Sequence, residues 1–261
     1  MKAFLLAAGL GTRLKPLTDN VPKCLLPIHG KPILEIWLEK LAEYGVKEVL
    51  INTHHLADQV EKFILENQAK RAWPAIRLFF EAKLLGSGGT VWEKRDFVAD
   101  DRDFLIIYAD NLTVMDIGHM MEYHQKTGAT LTMGLFESTA PRSCGIVRMD
   151  SVNPLSSVIL GFEEKPKKPR SNLANAGIYI ANRKIFEFFP ESISRDQTCK
   201  RGDKGEVLDF GHHILPRLVG HMHGYIINTL LIDIGTPRNY EIAQRLWSNP
   251  FFSGLLSHMN H

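Results

Sequence analysis

The chain has 261 residues, of which 44% are hydrophobic and 23% charged. That balance excludes disordered, collagen-like and coiled-coil architectures, and a chain this long buries a sizeable core without metal or disulfides. Its 31 Lys+Arg against 29 Asp+Glu leave a formal charge of +2, which gives no footprint for nucleic acid or an anionic membrane surface.

The three cysteines, Cys24, Cys144 and Cys199, are widely spaced. No pair has zinc or redox spacing, and an odd number argues against a secreted disulfide scaffold, so a cytoplasmic location is expected. Lys2 and the apolar residues 3–10 imitate a short signal peptide. That run stops at Gly11-Thr12-Arg13 with no small-residue cleavage site after it. No segment approaches the roughly 20 apolar residues of a membrane helix.

Strands and helices alternate along the first half. Residues 3–7 form a short apolar run ending in glycines, as a buried strand feeding a loop does. Pro32 suits the first turn of a helix; Ile33, Leu34, Trp37, Leu38 and Leu41 follow at helical spacing, and Gly45 stands where a C-cap belongs. Residues 46–52 read as a strand, 56–68 as a helix, 76–80 and 104–108 as strands, 115–127 as a helix and 129–136 as a strand. Beyond about residue 140 the strands dominate, at 145–149, 158–163, 174–181, 225–227 and 230–232, with helices at 206–219 and 238–247. This rhythm predicts a mostly parallel sheet covered on both faces. No linker rich in Pro, Gly or Ser divides the chain and no repeat is present, so residues 1–247 are expected to form one domain. Its first half runs to about 135 and its second from 136 to 247. Residues 248–261 form a tail.

The stretch Leu6-Ala7-Ala8-Gly9-Leu10-Gly11-Thr12-Arg13 carries the most information. A strand running into Gly-x-Gly exposes backbone N–H groups to phosphates, because glycine has no Cβ to obstruct them. By itself it is equally a tight turn. It lacks the third glycine of the dinucleotide fingerprint, which disfavours an oxidoreductase, and it lacks the Gly-Lys-Ser/Thr of a Walker loop. Arg13 and Lys23 add a forked guanidinium and a compact ammonium, and the combination reads as a polyphosphate site. Asp110 and Asp233 each follow a predicted strand. Two carboxylates at strand ends can share Mg²⁺ with phosphate oxygens and waters, although Asp233 is also placed to cap the last helix.

The series Gly9-Leu10-Gly11-Thr12-Arg13, Pro16-Leu17-Thr18 and Pro22-Lys23 resembles the signature of the sugar-1-phosphate nucleotidyltransferases. Further matches follow in order: Leu85-Gly86-Ser87-Gly88-Gly89, Ala109-Asp110-Asn111, Cys144-Gly145-Ile146-Val147, Glu164-Lys165-Pro166, Asn175-Ala176-Gly177-Ile178-Tyr179 and Ile232-Asp233-Ile234-Gly235-Thr236-Pro237. The resemblance implies a Rossmann-like α/β three-layer sandwich with a mixed, mostly parallel central sheet. It also implies Mg²⁺-dependent transfer of a nucleotidyl group from a nucleoside triphosphate to a sugar 1-phosphate, with release of pyrophosphate. The attacking phosphate oxygen is already an anion, so catalysis becomes positioning and charge neutralisation.

On this resemblance Arg13, Lys23, Asp110 and Lys165 carry the reaction. Arg13 faces the departing phosphates, Lys23 the α-phosphoryl group and Lys165 the sugar phosphate. Asp110 and Asp233 hold the metal. Leu6, Ala7, Ala8, Gly9, Gly11, Thr12, Glu81, Gly86 and Ser87 contact the nucleotide, and Asn111, Gly145, Glu164 and Asn175 contact the sugar phosphate. Glu81 lies where the family faces the base, and a carboxylate can accept from both the N1–H and the exocyclic amine of guanine. Uracil and thymine offer one such donor. With the Leu-Gly-Ser-Gly-Gly wording, this favours GTP and the short bacterial mannose- or heptose-1-phosphate guanylyltransferases. The alternatives are uridylyl or thymidylyl transfer to another sugar 1-phosphate, or a catalytically silent nucleotide-sugar-binding subunit. The family usually has glycine where this chain has Ala109, whose methyl bears on substrate choice. On this resemblance the length is expected to leave no room for the appended domain of longer relatives, and the half to about 135 is expected to bind the nucleotide and the half from 136 to 247 the sugar phosphate. The expected partners are the two substrates, with no nucleic acid or membrane, and with a homo-oligomer within the family's habit. The paired histidines at 54–55 and 212–213, and His221 with His223, lack metal-ligand spacing; His54 and His55 stand at a strand end and can line a crevice.

Overall fold

A computed structural model describes residues 1–150, 157–190 and 207–247 of the chain. In chain order its elements begin with β1 (Lys2–Leu6), α1 (Leu17–Asn20), β2 (Pro27–Ile28), β3 (Lys31–Pro32), α2 (Ile33–Glu43), β4 (Glu48–Thr53), α3 (Ala57–Asn67) and β5 (Ala75–Phe80). There follow α4 (Ser87–Glu93), β6 (Asp103–Tyr108), β7 (Asn111–Thr113), α5 (Ile117–Thr127), β8 (Leu131–Glu137) and β9 (Gly145–Met149). The last are β10 (Ile159–Glu164), β11 (Leu173–Asn182), β12 (Met222–Ile226), β13 (Leu231–Asp233) and α6 (Pro237–Trp247). The class is the expected α/β one, a mixed and mostly parallel sheet with helices.

The chain divides into two compact units, each assembled from separated stretches. The first comprises residues 1–83, 106–118 and, among the described residues, 227–247. Its strands run in the order β1-β4-β5, with residues 106–108 of β6 beside β1, and β1 is parallel to β4 and β4 to β5. Ala3, Phe4 and Leu5 of β1 and Val49 and Ile51 of β4 are fully buried, as strands covered on both faces require. On α2 the predicted apolar stripe is the buried one: Ile33, Leu34, Trp37, Leu38 and Leu41 are 0–2% exposed. Gly45 follows this helix at φ +67°, a left-handed turn that glycine adopts without a Cβ penalty. Pro32 stands just before α2 rather than in its first turn, because Lys31 and Pro32 pair with Pro27 and Ile28 in a small hairpin. The second unit comprises, among the described residues, 84–105, 119–150, 157–190 and 207–226. There β9 pairs antiparallel with both β10 and β11, β11 pairs antiparallel with β8, and β12 runs parallel to β8.

β12 begins three residues before the expected 225, and two further differences from the sequence reading are larger. The helix expected over 206–219 is two short turns, Phe210–Ile214 and Leu215–Leu218. Asp209 is extended and caps the first by accepting from the His212 N–H at 2.8 Å, and Pro216 cannot donate to a continuous α-helical ladder. Residue 206 and the 248–261 tail lie outside the described residues. The glycine-rich stretch after residue 85 opens a helix, α4, that the sequence pattern does not mark. Among the described residues, no helix is long and apolar enough to cross a membrane.

Candidate functional site

In the first unit, β1 ends at Leu6 and the chain enters the glycine loop. Gly11 adopts φ +65°, and a Cβ built there would lie 2.7 Å from Thr18 Cγ2. Thr18 approaches so closely because its hydroxyl donates to the Gly11 carbonyl at 2.8 Å. His55 Nε2–H in turn donates to the Thr18 carbonyl at 3.1 Å. Gly9 differs, since a Cβ there would meet nothing within 4 Å, and packing does not demand a glycine. Thr12 and Arg13 follow on an exposed single turn, while Ala8 is buried.

The charged residues converge. The short antiparallel pair β7–β13 places Asp233 opposite Asn111, and the Ile234 N–H donates to the Asp110 carbonyl at 3.0 Å, so both aspartates come to one place. Trp37 secures this corner through its indole N–H, which donates to the Asn111 carbonyl at 2.8 Å. The Lys23 ammonium hydrogen-bonds Asp110 and lies 3.7 Å from Asp233, whose other oxygen is 4.0 Å from Arg13 Nη2. Desolvation, and then the charge of Asp110, push the Asp233 carboxyl above the ordinary carboxylate range, against the pull of Lys23, the Gly235 N–H and Arg13. Gly235 completes the cluster. A Cβ there would sit 2.7 Å from Asp233 Oδ1, 2.8 Å from Arg13 Nη2 and 2.9 Å from Lys23 Nζ. Asn111 is buried, as is Ala109, whose N–H donates to the Leu6 carbonyl at 3.0 Å.

Glu81 follows β5 and is 2% exposed. Its carboxylate accepts from Asn52 Nδ2 at 2.8 Å, and Asn52 Oδ1 accepts from the Ala7 N–H at 2.7 Å. His54 Nδ1–H donates to the Glu81 carbonyl at 2.7 Å. His54 and His55 thus each brace a loop through a backbone carbonyl.

In the second unit, Gly145 and Gly211 enclose Glu164. A Cβ on either would lie 2.7 Å from Glu164 Oε2. Lys165 has φ +47°, its N–H donates to the Cys144 carbonyl at 3.0 Å, and its exposed ammonium lies 3.5 Å from Glu164 Oε1. Asn175 serves an irregularity in β11, accepting from the Gly177 N–H at 2.9 Å and donating to the Tyr179 hydroxyl at 2.6 Å. Gly86 and Gly88 accommodate backbone, because Cβ atoms there would come within 2.6 and 3.0 Å of the Leu208 carbonyl. Ser87 Oγ accepts from the Phe210 N–H at 2.8 Å.

The structure therefore gathers Arg13, Lys23, Asp110 and Asp233 in one cluster, Ala7 and Glu81 in another, and Gly145, Glu164 and Lys165 in a third. Sequence reasoning misses Asn52 and Asp209, and it singles out Thr18 only within the Pro16-Leu17-Thr18 motif. Asn52 leaves a signal, since an amide closing the apolar run Val49-Leu50-Ile51 needs buried partners. The motif marks Thr18 but not its partner, because its hydroxyl meets the Gly11 carbonyl across the loop.

The fold and this cluster of two cations and paired aspartates at strand ends place the protein in the α/β class. The family model described as nucleotidyl transferase matches residues 2–247, and the chain belongs to that family. It is 31% identical over 264 residues to a UTP–glucose-1-phosphate uridylyltransferase of Synechocystis, covering 94% of this chain and 63% of that protein. It is 32% identical over 237 residues to the bifunctional protein GlmU of Methanocaldococcus jannaschii, covering 91% and 52%. The chain thus spans between half and two thirds of the length of these relatives. Among solved structures, one titled as a glucose-1-phosphate thymidylyltransferase from Bacillus anthracis matches with TM-score 0.79 and 25% identity over 94% of both chains. HddC from Yersinia pseudotuberculosis shares the fold, with TM-score 0.74 and 23% identity over 95% of this chain and 99% of that one. The fold is the Rossmann-like one of these nucleotidyltransferases.

Proposed function

We propose that the protein transfers a nucleotidyl group from a nucleoside triphosphate, GTP for preference, to a sugar 1-phosphate, releasing pyrophosphate. The observation that carries this reading is the Lys23–Asp110–Asp233–Arg13 cluster with Gly235 against it. Two carboxylates drawn to one ammonium, one of them pushed up by burial and then by the other's charge, are a donor set suited to a hard divalent cation beside phosphate oxygens. Asp110 and Asp233 would hold Mg²⁺, which when bound neutralises phosphate charge. Gly9, where packing does not require glycine, supports close approach of a phosphate to the backbone.

A sugar phosphate oxygen attacks the α-phosphorus, the P–O bond to the β-phosphate breaks, and pyrophosphate departs. Arg13 neutralises the leaving phosphates and Lys23 the α-phosphoryl group. Lys165 takes the sugar phosphate, with Glu164, Asn175 and the Gly145 backbone toward the sugar hydroxyls. Glu81 reads the base. Its buried carboxylate suits the two adjacent donors of guanine better than the single N–H of uracil or thymine. The names of the relatives include uridylyl transfer, so the nucleotide is the finer part of the proposal.

Pyrophosphate release measured across four nucleoside triphosphates and several sugar 1-phosphates tests both parts. GTP with a mannose- or heptose-type phosphate is expected to give the highest kcat/KM. Turnover of UTP or dTTP with glucose 1-phosphate, with GTP ignored, would overturn the guanine reading and leave the reaction class standing. Lys23→Ala and Arg13→Ala are expected to fold normally and to lose about 10²-fold or more in turnover. Near-normal rates in both would remove the assignment. Nucleotide-sugar binding without pyrophosphate release under any pair would favour a silent binding subunit.

A further inference from the structure

Asn52 is 4% exposed at the end of β4, and both of its amide atoms are engaged. Its orientation is dictated rather than assumed. The Ala7 backbone N–H is a donor, so the atom 2.7 Å away must be the amide oxygen. The NH₂ group therefore faces Glu81 Oε1 at 2.8 Å, and residue 81 must present an acceptor to it. Its neighbours on the same strand end immobilise the rest of Glu81. The Glu81 N–H donates to the Thr53 carbonyl at 2.8 Å, and the His54 ring donates to the Glu81 carbonyl at 2.7 Å. A carboxylate offers an acceptor on either oxygen. A glutamine in its place would have to turn its carbonyl toward Asn52 and its NH₂ the other way.

We infer that Asn52 is a positioning residue for nucleobase choice: anchored by the Ala7 N–H, its amide sets whether residue 81 offers the base an acceptor or a donor. This rests on the reading of Glu81 as the base-contacting residue. It adds that base selectivity is a property of the pair and of the glycine loop that orients it. The sequence positions 7, 52 and 81 are then read together, since the same glutamine at 81 shows opposite polarity depending on residue 52.

The test compares kcat/KM for GTP, ITP and UTP in the wild type, E81Q and N52D/E81Q. ITP lacks the exocyclic amine of guanine. The wild type is expected to favour GTP over ITP about tenfold, one charge-assisted hydrogen bond's worth. In E81Q the intact Asn52 turns the glutamine NH₂ toward the base, and the GTP preference over both other nucleotides is lost. In N52D/E81Q, the carboxylate introduced at position 52 accepts from both the Ala7 N–H and the glutamine NH₂, so the glutamine carbonyl turns outward. GTP use is expected to recover at least about fivefold over E81Q, while UTP, which offers a single N–H, rises less than about twofold. Equal nucleotide ratios in E81Q and the folded double variant, within twofold, would overturn the role of Asn52. Unchanged ratios in E81Q itself would show instead that Glu81 does not read the base, and the inference would fall with that reading. If the double variant does not fold, Asn52→Ala decides. The GTP-to-ITP ratio is expected to fall about fivefold while the KM for sugar 1-phosphate stays within twofold. An unchanged ratio overturns the proposal, since a purely structural amide would alter stability and not the choice of base.

Discussion

At the scale of single residues, the cluster around Gly235 is governed by space. A methyl group there cannot avoid Asp233, Arg13 and Lys23 together, because all three lie within 2.9 Å of the Cβ position. Gly235→Ala is therefore expected to lower turnover by about tenfold or more while changing the unfolding midpoint little, which steady-state rates and a thermal melt distinguish. Cys24 makes the complementary point. Burial pushes its thiol up to about 12, against a small opposing hydrogen bond, and its side chain is 3% exposed. At pH 8 its thiolate is negligible, so iodoacetamide is expected to label the half-buried Cys144 and leave Cys24 untouched until the protein is denatured, as peptide mass spectrometry would read. Rapid native labelling of Cys24 would contradict its buried placement.

At the scale of elements, two buried ionisable groups tie helices to pH. His124 on α5 is 2% exposed, with Nδ1 2.8 Å from the Thr132 hydroxyl and Nε2 3.5 Å from Asp103. Desolvation holds its pKa below the ordinary 6.5, outweighing the pull of Asp103. The folded protein then resists a proton that the unfolded chain accepts, so this contribution is present above about pH 6.5 and is lost as pH falls below it. Denaturant melts from pH 7.5 to 5 are expected to show a loss that His124→Gln reduces. Lys40 on α2 works at the other end. Its ammonium is buried without a hydrogen-bond partner among the described residues, 5.5 Å from the Tyr44 ring centroid. Desolvation lowers its pKa from 10.5 to about 8, against the fields of Glu43 and Asp116. Between those two values the unfolded chain binds the extra proton, so stability from this group rises with pH. Lys40→Met is expected to abolish that rise and to stabilise the protein at pH 7 by on the order of 2 kcal/mol.

At the scale of the molecule, the +2 net charge conceals local cations, Arg13 and Lys23, which the proposed function directs at small phosphates. Arg13 and Lys23 are already engaged with Asp110 and Asp233, so they offer no extended basic face to a polymer. Saturating GTP with Mg²⁺, at about a hundred times its Kd, is expected to add about 2.7 kcal/mol to stability and so raise the melting temperature by several degrees. Duplex DNA at physiological salt is expected to produce no shift, since little counterion release is available. A DNA-induced shift equal to that of the nucleotide would refute this placement of the charge.

Much of this is legible in the linear chain. Local apolar periodicity marks α2, β1, β4 and β6 to within a residue or two, because burial of a strand or a helical stripe is written into neighbouring side chains. The ordered motif series marks Arg13, Lys23, Asp110 and Asp233 and the family to which the chain belongs. What the linear chain does not show depends on contacts between residues far apart in sequence. Asp110 and Asp233 meet only because β7 pairs with β13, and Gly235 must lack a side chain only because Lys23 and Arg13 arrive there. Pro216 and the Asp209 cap break a helix that periodicity alone draws as continuous. Asn52 acquires its meaning only with Ala7 and Glu81 on either side of it, because the orientation of an amide is set by its partners and not by its own sequence neighbours.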